Sequence, residues 1–262
     1  MMTETVLVTT DERGVATLEL NRPDKHNALS EVMFGALCEA FARLAADPAV
    51  RVVVLTGRGG SFCAGGDLTW FLQSLEETTE ARVARSRQLG ELLAQIHALP
   101  KPLIGRINGL AIGAGAGLVA VCDVAVGLER CAFGFSETRI GLIPATFSPY
   151  VIRRIGPARA RSVMLSGARF DAAKAYRIGL LDEICSDEAE LDARVAAIVE
   201  DHLAASPEAI AMTKEMIDHV ARLGIEEARE WTAAKVGEAW ERGDAHVRIP
   251  RLLGSSGKPK AG

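Results

Sequence analysis

Nowhere in this 262-residue chain do about 18 apolar residues follow one another, so no membrane-spanning helix is expected. Its first ten residues carry Glu4 and no basic segment leading into an apolar core, which argues against an export signal and for a cytoplasmic protein. Cationic surplus is missing as well. The 30 Lys and Arg are outnumbered by 34 Asp and Glu, the formal charge is -4, and the footprint that nucleic-acid binding requires is absent. Cys38, Cys63, Cys122, Cys131 and Cys185 are scattered without the close pairs of a zinc site or a disulfide framework, so buried free thiols are expected and no metal. None of His26, His97, His202, His219 and His246 stands in a nucleophile or metal motif, which leaves them as surface or packing residues.

What is there is apolar. A hydrophobic content of 48% over this length can bury a substantial core, and the expected organisation is one main domain with an appendage. Two β-branched runs, 5–8 and 15–20, flank Asp11-Glu12-Arg13-Gly14 and predict an opening hairpin that ends at Asn21-Arg22-Pro23. Ser30 precedes a stretch in which Met33, Phe34, Leu37, Phe41 and Leu44 recur at helical spacing, with Asp47-Pro48 as the stop, so a helix spans 31–46. A buried strand over 50–56 runs into a loop, Asp67 caps a short helix through Phe71, and a longer helix over 81–99 stops at Pro100. A strand over 103–107 leads into small residues, 108–117, and an apolar run, 118–126. From Pro157 onward the spacing is helical, over 158–166, 172–178, 188–204, 207–223 and 225–240. The division that follows is a core over 1–200, a C-terminal helical region over 201–253, and a flexible tail over 254–262 that is too poor in apolar residues to order itself.

Three segments carry candidate chemistry. In Ser61-Phe62-Cys63-Ala64-Gly65-Gly66-Asp67-Leu68, small residues lead directly into a helix cap, which lets backbone N–H groups approach an oxyanion; a plain tight turn is the competing reading. Asn108-Gly109-Leu110-Ala111-Ile112-Gly113-Ala114-Gly115-Ala116-Gly117 places small residues between a strand and an apolar helix. A dinucleotide fingerprint fits it poorly, because Leu118 stands where the third Gly should fall and no acidic residue follows about 20 positions on. Close helix packing remains open for it. The third segment, Ala132-Phe133-Gly134-Phe135-Ser136-Glu137-Thr138-Arg139-Ile140-Gly141-Leu142-Ile143-Pro144, sets one carboxylate in an apolar context. Partial burial raises such a group toward the range of efficient acid–base work, and a solvated Glu137–Arg139 pair is the alternative.

Taken in order, these segments resemble the crotonase (enoyl-CoA hydratase/isomerase) superfamily, from Leu18-Glu19-Leu20-Asn21-Arg22-Pro23 through Gly179-Leu180-Leu181-Asp182-Glu183. The resemblance implies an α/β fold of repeated ββα units wound into a spiral, with a C-terminal helical region that packs in trimers or dimers of trimers. It implies an acyl-CoA thioester as substrate and no cofactor beyond the coenzyme A that the substrate carries. Gly66 and Ala114 match the two backbone oxyanion donors, and Glu137 matches the glutamate that protonates the α-carbon. Lys25-His26-Asn27-Ala28 and Phe62-Cys63-Ala64 resemble the loops that hold adenine and pantetheine, with Ala28 and Ala64 as the backbone contacts and Lys25 beside them.

The chain departs from the pattern at Gly117, where the first of the family's two glutamates would stand. Position 117 then reads as free space for a branched or carboxylated acyl group. The runs 115–123, 137–145 and 148–151, together with Trp70, look like bacterial methylglutaconyl-CoA and carboxygeranoyl-CoA hydratases, and Arg139 is the candidate partner for a substrate carboxylate. The expected activity is hydration of a 2-enoyl-CoA with one glutamate; double-bond isomerisation and a catalytically idle CoA-binding role are the alternatives. A second departure, Asp244-Ala245-His246-Val247-Arg248-Ile249-Pro250, makes the last helix short or absent, since Pro250 breaks a helix interior.

Overall fold

The hairpin comes first. Strands β1 (Val6–Thr10) and β2 (Val15–Leu20) pair antiparallel, from Val6 opposite Leu20 to Thr10 opposite Ala16. Asp11 organises the turn by accepting from the Arg13 and Val15 amides at 3.0 and 2.9 Å, and Gly14 completes it at φ +82°, where a Cβ would lie 2.2 Å from the Ala49 carbonyl. In this computed structural model residues 4–253 are described; the expected flexible tail at 254–262 lies outside them.

Helix α1 (Glu31–Ala46) opens on Ser30, whose hydroxyl accepts from the Met33 amide, and it buries Met33, Leu37, Ala40, Phe41 and Leu44 on one face. That face is the crossover that lets β3 (Val52–Gly57) pair parallel with β2. All six residues of β3 are buried, as befits a strand covered on both sides.

From here a long strand and a short one alternate. After β3 comes β4 (Ser61–Cys63), then helices α2 (Leu68–Glu76) and α3 (Thr79–His97). Next are β5 (Leu103–Ile107), β6 (Leu110–Ile112) and helix α4 (Ala114–Ala120). They are followed by β7 (Val124–Leu128), β8 (Ala132–Gly134), a 3-10 turn over Ser136–Ile140, and helices α5 (Ser148–Ile155) and α6 (Pro157–Met164). Strand β9 (Phe170–Asp171), helix α7 (Ala172–Ile178), strand β10 (Glu183–Cys185) and helix α8 (Glu188–Ala204) finish the series. The long strands, with short β10, form one six-stranded sheet, ordered β1-β2-β3-β5-β7-β10, and the remaining short ones a four-stranded sheet, β4-β6-β8-β9. The three windings opened by β3, β5 and β7 each contribute one strand to either sheet and a helical crossover, which is the α/β spiral of ββα units.

The chain forms two compact units, dividing between His202 and Leu203, inside the last turn of α8. The second unit holds α9 (Pro207–Val220), α10 (Ile225–Arg242) and α11 (Ala245–Leu252). Within it the His219 and Trp231 rings lie 4.4 Å apart and Lys235 pairs with Glu215 at 3.0 Å.

Several expectations change. Helix α2 runs on to Glu76 rather than ending at Phe71, and α5 was not foreseen. The apolar run at 118–126 is cut in two: Asp123 breaks it by accepting from the Leu103 amide at 2.7 Å, ending α4 and starting β7. The last helix, α11, is short as expected rather than absent: it keeps eight residues because Pro250 stands in its last turn and removes a single ladder bond. All five cysteines are free; four are buried and Cys38 is half-buried.

Candidate functional site

Residues 26–29 lie along residues 64–67. The Ala64 amide donates to the His26 carbonyl at 2.9 Å, Leu29 to Gly65 at 2.7 Å, and Asp67 back to Leu29 at 3.0 Å. This is a one-residue parallel bridge between Leu29 and Gly66. Its bonds use the Gly65 carbonyl and the Asp67 amide, so the Gly66 N–H points away from the bridge, and no described residue accepts from it.

Sequence reasoning missed what holds this pair of strands together. Asn27, fully buried, accepts from the Arg22 amide at 2.8 Å and donates to the carbonyls of Arg58 and Ser61 at 3.0 and 2.8 Å. It sits at φ +55°, a left-handed conformation that Asn tolerates. The Arg22 guanidinium donates to the Ala28 carbonyl at 2.6 Å and to Asp67 at 2.9 Å, with side-chain exposures of only 20% and 18% for the two charged partners. Burial works against ionising Asp67, yet the Thr69 amide and Arg22 together hold it below the usual carboxylate range. Asp67 caps α2 in turn through that amide at 3.0 Å. Lys25 is exposed in the short 3-10 turn Pro23–Lys25, beside this loop.

The second small-residue segment packs directly on the first, backbone to backbone. A Cβ at Gly115 would lie 2.1 Å from the Cys63 carbonyl; one at Gly65 would lie 2.7 Å from the Ile112 carbonyl and 3.6 Å from the Ala114 nitrogen. Glycine at these positions is what brings Gly66 and Ala114 to neighbouring loops. Ala114 is the first residue of α4, and no described residue accepts from its N–H. Gly113 caps that helix at φ +54° and ψ -119°, a conformation reserved for glycine.

Glu137 completes the arrangement. Its Oε1 lies 2.6 Å from where a Cβ on Gly113 would be, which puts the carboxylate against the residue preceding Ala114. Oε2 is buried without a hydrogen-bond partner among the described residues. Burial pushes the carboxyl above its ordinary 4.5, only partly opposed by its own backbone amide. The surface pair with Arg139 does not form. Arg139 is exposed and donates instead to the Ser166 carbonyl at 3.2 Å, while Thr138 donates to the Met164 carbonyl at 3.2 Å, so the turn is anchored on the end of α6 and the residues just after it.

At Gly117 the structure corrects the sequence reading. The volume beside it is filled: a Cβ there would lie 2.6 Å from Phe147 Cβ and 3.1 Å from its Cγ. Phe147 is 4% exposed and stacks on Phe135 with ring centroids 5.8 Å apart. No free space for a branched or carboxylated acyl group is left at that point. Trp70 packs 6.4 Å from Phe34 with the Arg85 guanidinium 5.3 Å over its ring, and it is Phe71, not singled out before, that lies nearer Gly66, at 3.2 Å from the position of a Cβ.

His26 meets the Ser61 hydroxyl at 2.9 Å and the other histidines lie elsewhere; Cys63, wholly buried, has its thiol pushed up to about 12. Among the described residues no cluster of three His, Cys, Asp or Glu could hold a metal ion, and no helix is long and apolar enough to cross a membrane.

Comparison with known proteins gives a consistent set of likenesses. The family model described as enoyl-CoA hydratase/isomerase matches residues 10–243. A Thermus thermophilus protein provisionally named an enoyl-CoA hydratase is 33% identical over 236 residues, 90% of this chain and 92% of that one. The 1,2-epoxyphenylacetyl-CoA isomerase of Escherichia coli is 33% identical over 200 residues, 75% of either chain. A crystal structure of an enoyl-CoA hydratase from Mycobacterium smegmatis superposes with a TM-score of 0.90 at 34% identity, covering 96% of both chains.

Proposed function

The chain belongs to the enoyl-CoA hydratase/isomerase family, and from that premise we propose that it hydrates a 2-enoyl-CoA thioester with one glutamate. The coenzyme A moiety lies along the paired segments 25–28 and 62–64, with the backbone of Ala28 and Ala64 as contacts and Lys25 at the phosphate end. The N–H groups of Gly66 and Ala114 donate to the thioester oxygen and strengthen as enolate character develops, a type of contribution worth about 3 kcal/mol per donor. Glu137 takes a proton from water as the hydroxide adds to C3 and returns that proton to C2, so one carboxylate serves both halves of a syn addition.

The observation that carries this reading is Glu137 itself: a carboxylate with one buried, unpartnered oxygen, raised by burial, lying beside the residue that precedes Ala114. A group held ready to accept a proton, and costly to leave ionised, suits acid–base work better than binding alone. One further observation favours a second reading. Phe147 occupies the volume where a second acid would project, and a lone carboxylate against an apolar neighbour also suits shuttling a proton between C2 and C4, which is isomerisation.

The test follows loss of the conjugated-thioester absorbance on crotonyl-CoA and 3-methylglutaconyl-CoA, and its gain on a 3-enoyl-CoA. Loss on a 2-enoyl-CoA supports hydration; gain on the 3-enoyl-CoA alone replaces hydration with isomerisation; neither on any substrate leaves a CoA-binding role. We further propose that copies of the chain assemble as trimers or dimers of trimers in the cytoplasm. In support, neither α9 nor α10 contains a buried residue, while Ile217, Ile225 and Trp240 expose most of their surface.

A further inference from the structure

We propose that Phe147 sets the substrate class of this site, by sealing the volume beside Gly117 and offering an apolar wall that accepts aliphatic or aromatic acyl groups and rejects carboxylated ones. This rests on the acyl-CoA reading and narrows it.

The Gly117 amide donates to the Gly113 carbonyl at 3.0 Å, so the two positions lie one turn apart at the start of α4. Glu137 Oε1 lies 2.6 Å from the first of these positions and Phe147 Cβ lies 2.6 Å from the second. The carboxylate and the aromatic side chain therefore press on the start of α4 one turn apart. Because the close atom is Cβ rather than the ring tip, no rotamer of Phe147 reopens the space. Any side chain at 117 requires the backbone around 147 to shift. That backbone is held: the Thr146 hydroxyl meets Ser86 of α3 at 2.7 Å, and the Phe147 ring stacks on Phe135, which lies 6.2 Å from Phe170.

Apart from Arg139, the large exposed side chains between Glu137 and Phe147 are apolar. Ile140, Leu142 and Ile143 are 61%, 48% and 75% exposed, and the Leu142 amide is bonded to the Glu137 carbonyl at 2.9 Å. The cation of this segment is turned to another use, since Arg139 donates to Ser166 with its aliphatic stem against Gly167. An acyl tail that runs past Glu137 thus meets carbon. A terminal carboxylate turned toward these side chains gains no hydrogen-bond partner from them, whereas an apolar tail gains carbon contacts.

Calorimetric titration tests this with saturated thioesters that cannot be hydrated: hexanoyl-CoA, glutaryl-CoA and free coenzyme A, on wild type, Phe147→Ala and Phe147→Leu. Wild type is expected to bind hexanoyl-CoA at least about tenfold more tightly than glutaryl-CoA, the equivalent of about two buried methylenes. Phe147→Ala should narrow that ratio several-fold and leave free coenzyme A unchanged, while Phe147→Leu, still apolar, should keep most of it. Equal wild-type affinities would overturn the proposal, as would a ratio unmoved in a folded alanine variant. If the alanine variant does not fold, the leucine variant decides, because loss of preference there would sink the apolar wall. Neither thioester reacts, so a binding gap without enoyl-CoA turnover removes the hydratase reading alone, and turnover without a gap removes this proposal alone.

Discussion

Glu137→Gln should inactivate the protein and stabilise it at the same time, and the two effects should separate with pH. In the folded chain Oε2 is buried without a partner, so the ionised form carries a desolvation cost that the unfolded chain escapes. A buried unsatisfied group costs about 1–3 kcal/mol, and the partial exposure of Glu137 brings this down to about 1 kcal/mol. Because burial raises the folded-state pKa, the folded protein binds the proton more tightly than the unfolded one. The penalty is therefore absent below the ordinary 4.5, grows as pH rises through the window up to the raised folded value, and is complete above it. A neutral amide never carries that ionisation cost, so the difference from wild type exists only where the carboxylate is ionised. At pH 8 the variant should melt about 2–4 °C higher than wild type, a size set by about 1 kcal/mol in a chain of this length, and at pH 4 the gain should vanish. Turnover on the best enoyl-CoA substrate should fall about 10²–10⁴-fold. Differential scanning calorimetry across pH 4 to 8 and a rate assay on the same preparation decide the matter. A stability gain that is independent of pH would refute the burial argument, and wild-type turnover in the variant would refute the assignment of the proton to Glu137.

Gly117→Ala places a Cβ 2.6 Å from Phe147 Cβ and should lower stability by about 1–3 kcal/mol, read from chemical denaturation; for the same reason Gly117→Glu should not produce a more active two-carboxylate enzyme. Asn27→Ala strands the Arg22 amide and two carbonyls around a fully buried side chain, and a loss of about 2–4 kcal/mol is expected in the same measurement. Arg22→Ala removes the cation that joins the Ala28 carbonyl to Asp67, so KM for a CoA thioester should rise about tenfold with a smaller change in kcat. An unchanged KM would mean that the two loops hold their places without it.

The parts of the fold that were legible in the sequence are those governed by local rules. Ser30, Asp67 and the spacing of Met33, Leu37 and Phe41 announce α1 and the start of α2, because capping and amphipathic spacing act within a few residues. The parts that were not legible depend on a distant partner. The cut at Asp123 needs the Leu103 amide, and α11 survives Pro250 because of where the proline falls in a helix whose start could not be located from spacing alone. Arg22 and Asn27 looked like the end of a strand and a piece of loop. Their roles come from Asp67, Arg58 and Ser61, which are 31 to 45 residues away along the chain.

The same distinction explains why the candidate donors could be placed while their surroundings could not. A backbone N–H leaves no mark in its own residue type, and position 114 can carry Ala as well as Gly. The mark lies in neighbouring residues that must lack a side chain: Gly65 and Gly115, where a Cβ would strike a carbonyl, and Gly113, where it would strike Glu137. Gly117 has the same signature for a different reason, since it is pressed by a side chain thirty residues later. Sequence alone does not tell the two kinds of glycine apart. Only the position of Phe147 separates a glycine required by a backbone carbonyl from one whose neighbouring volume a side chain has already taken.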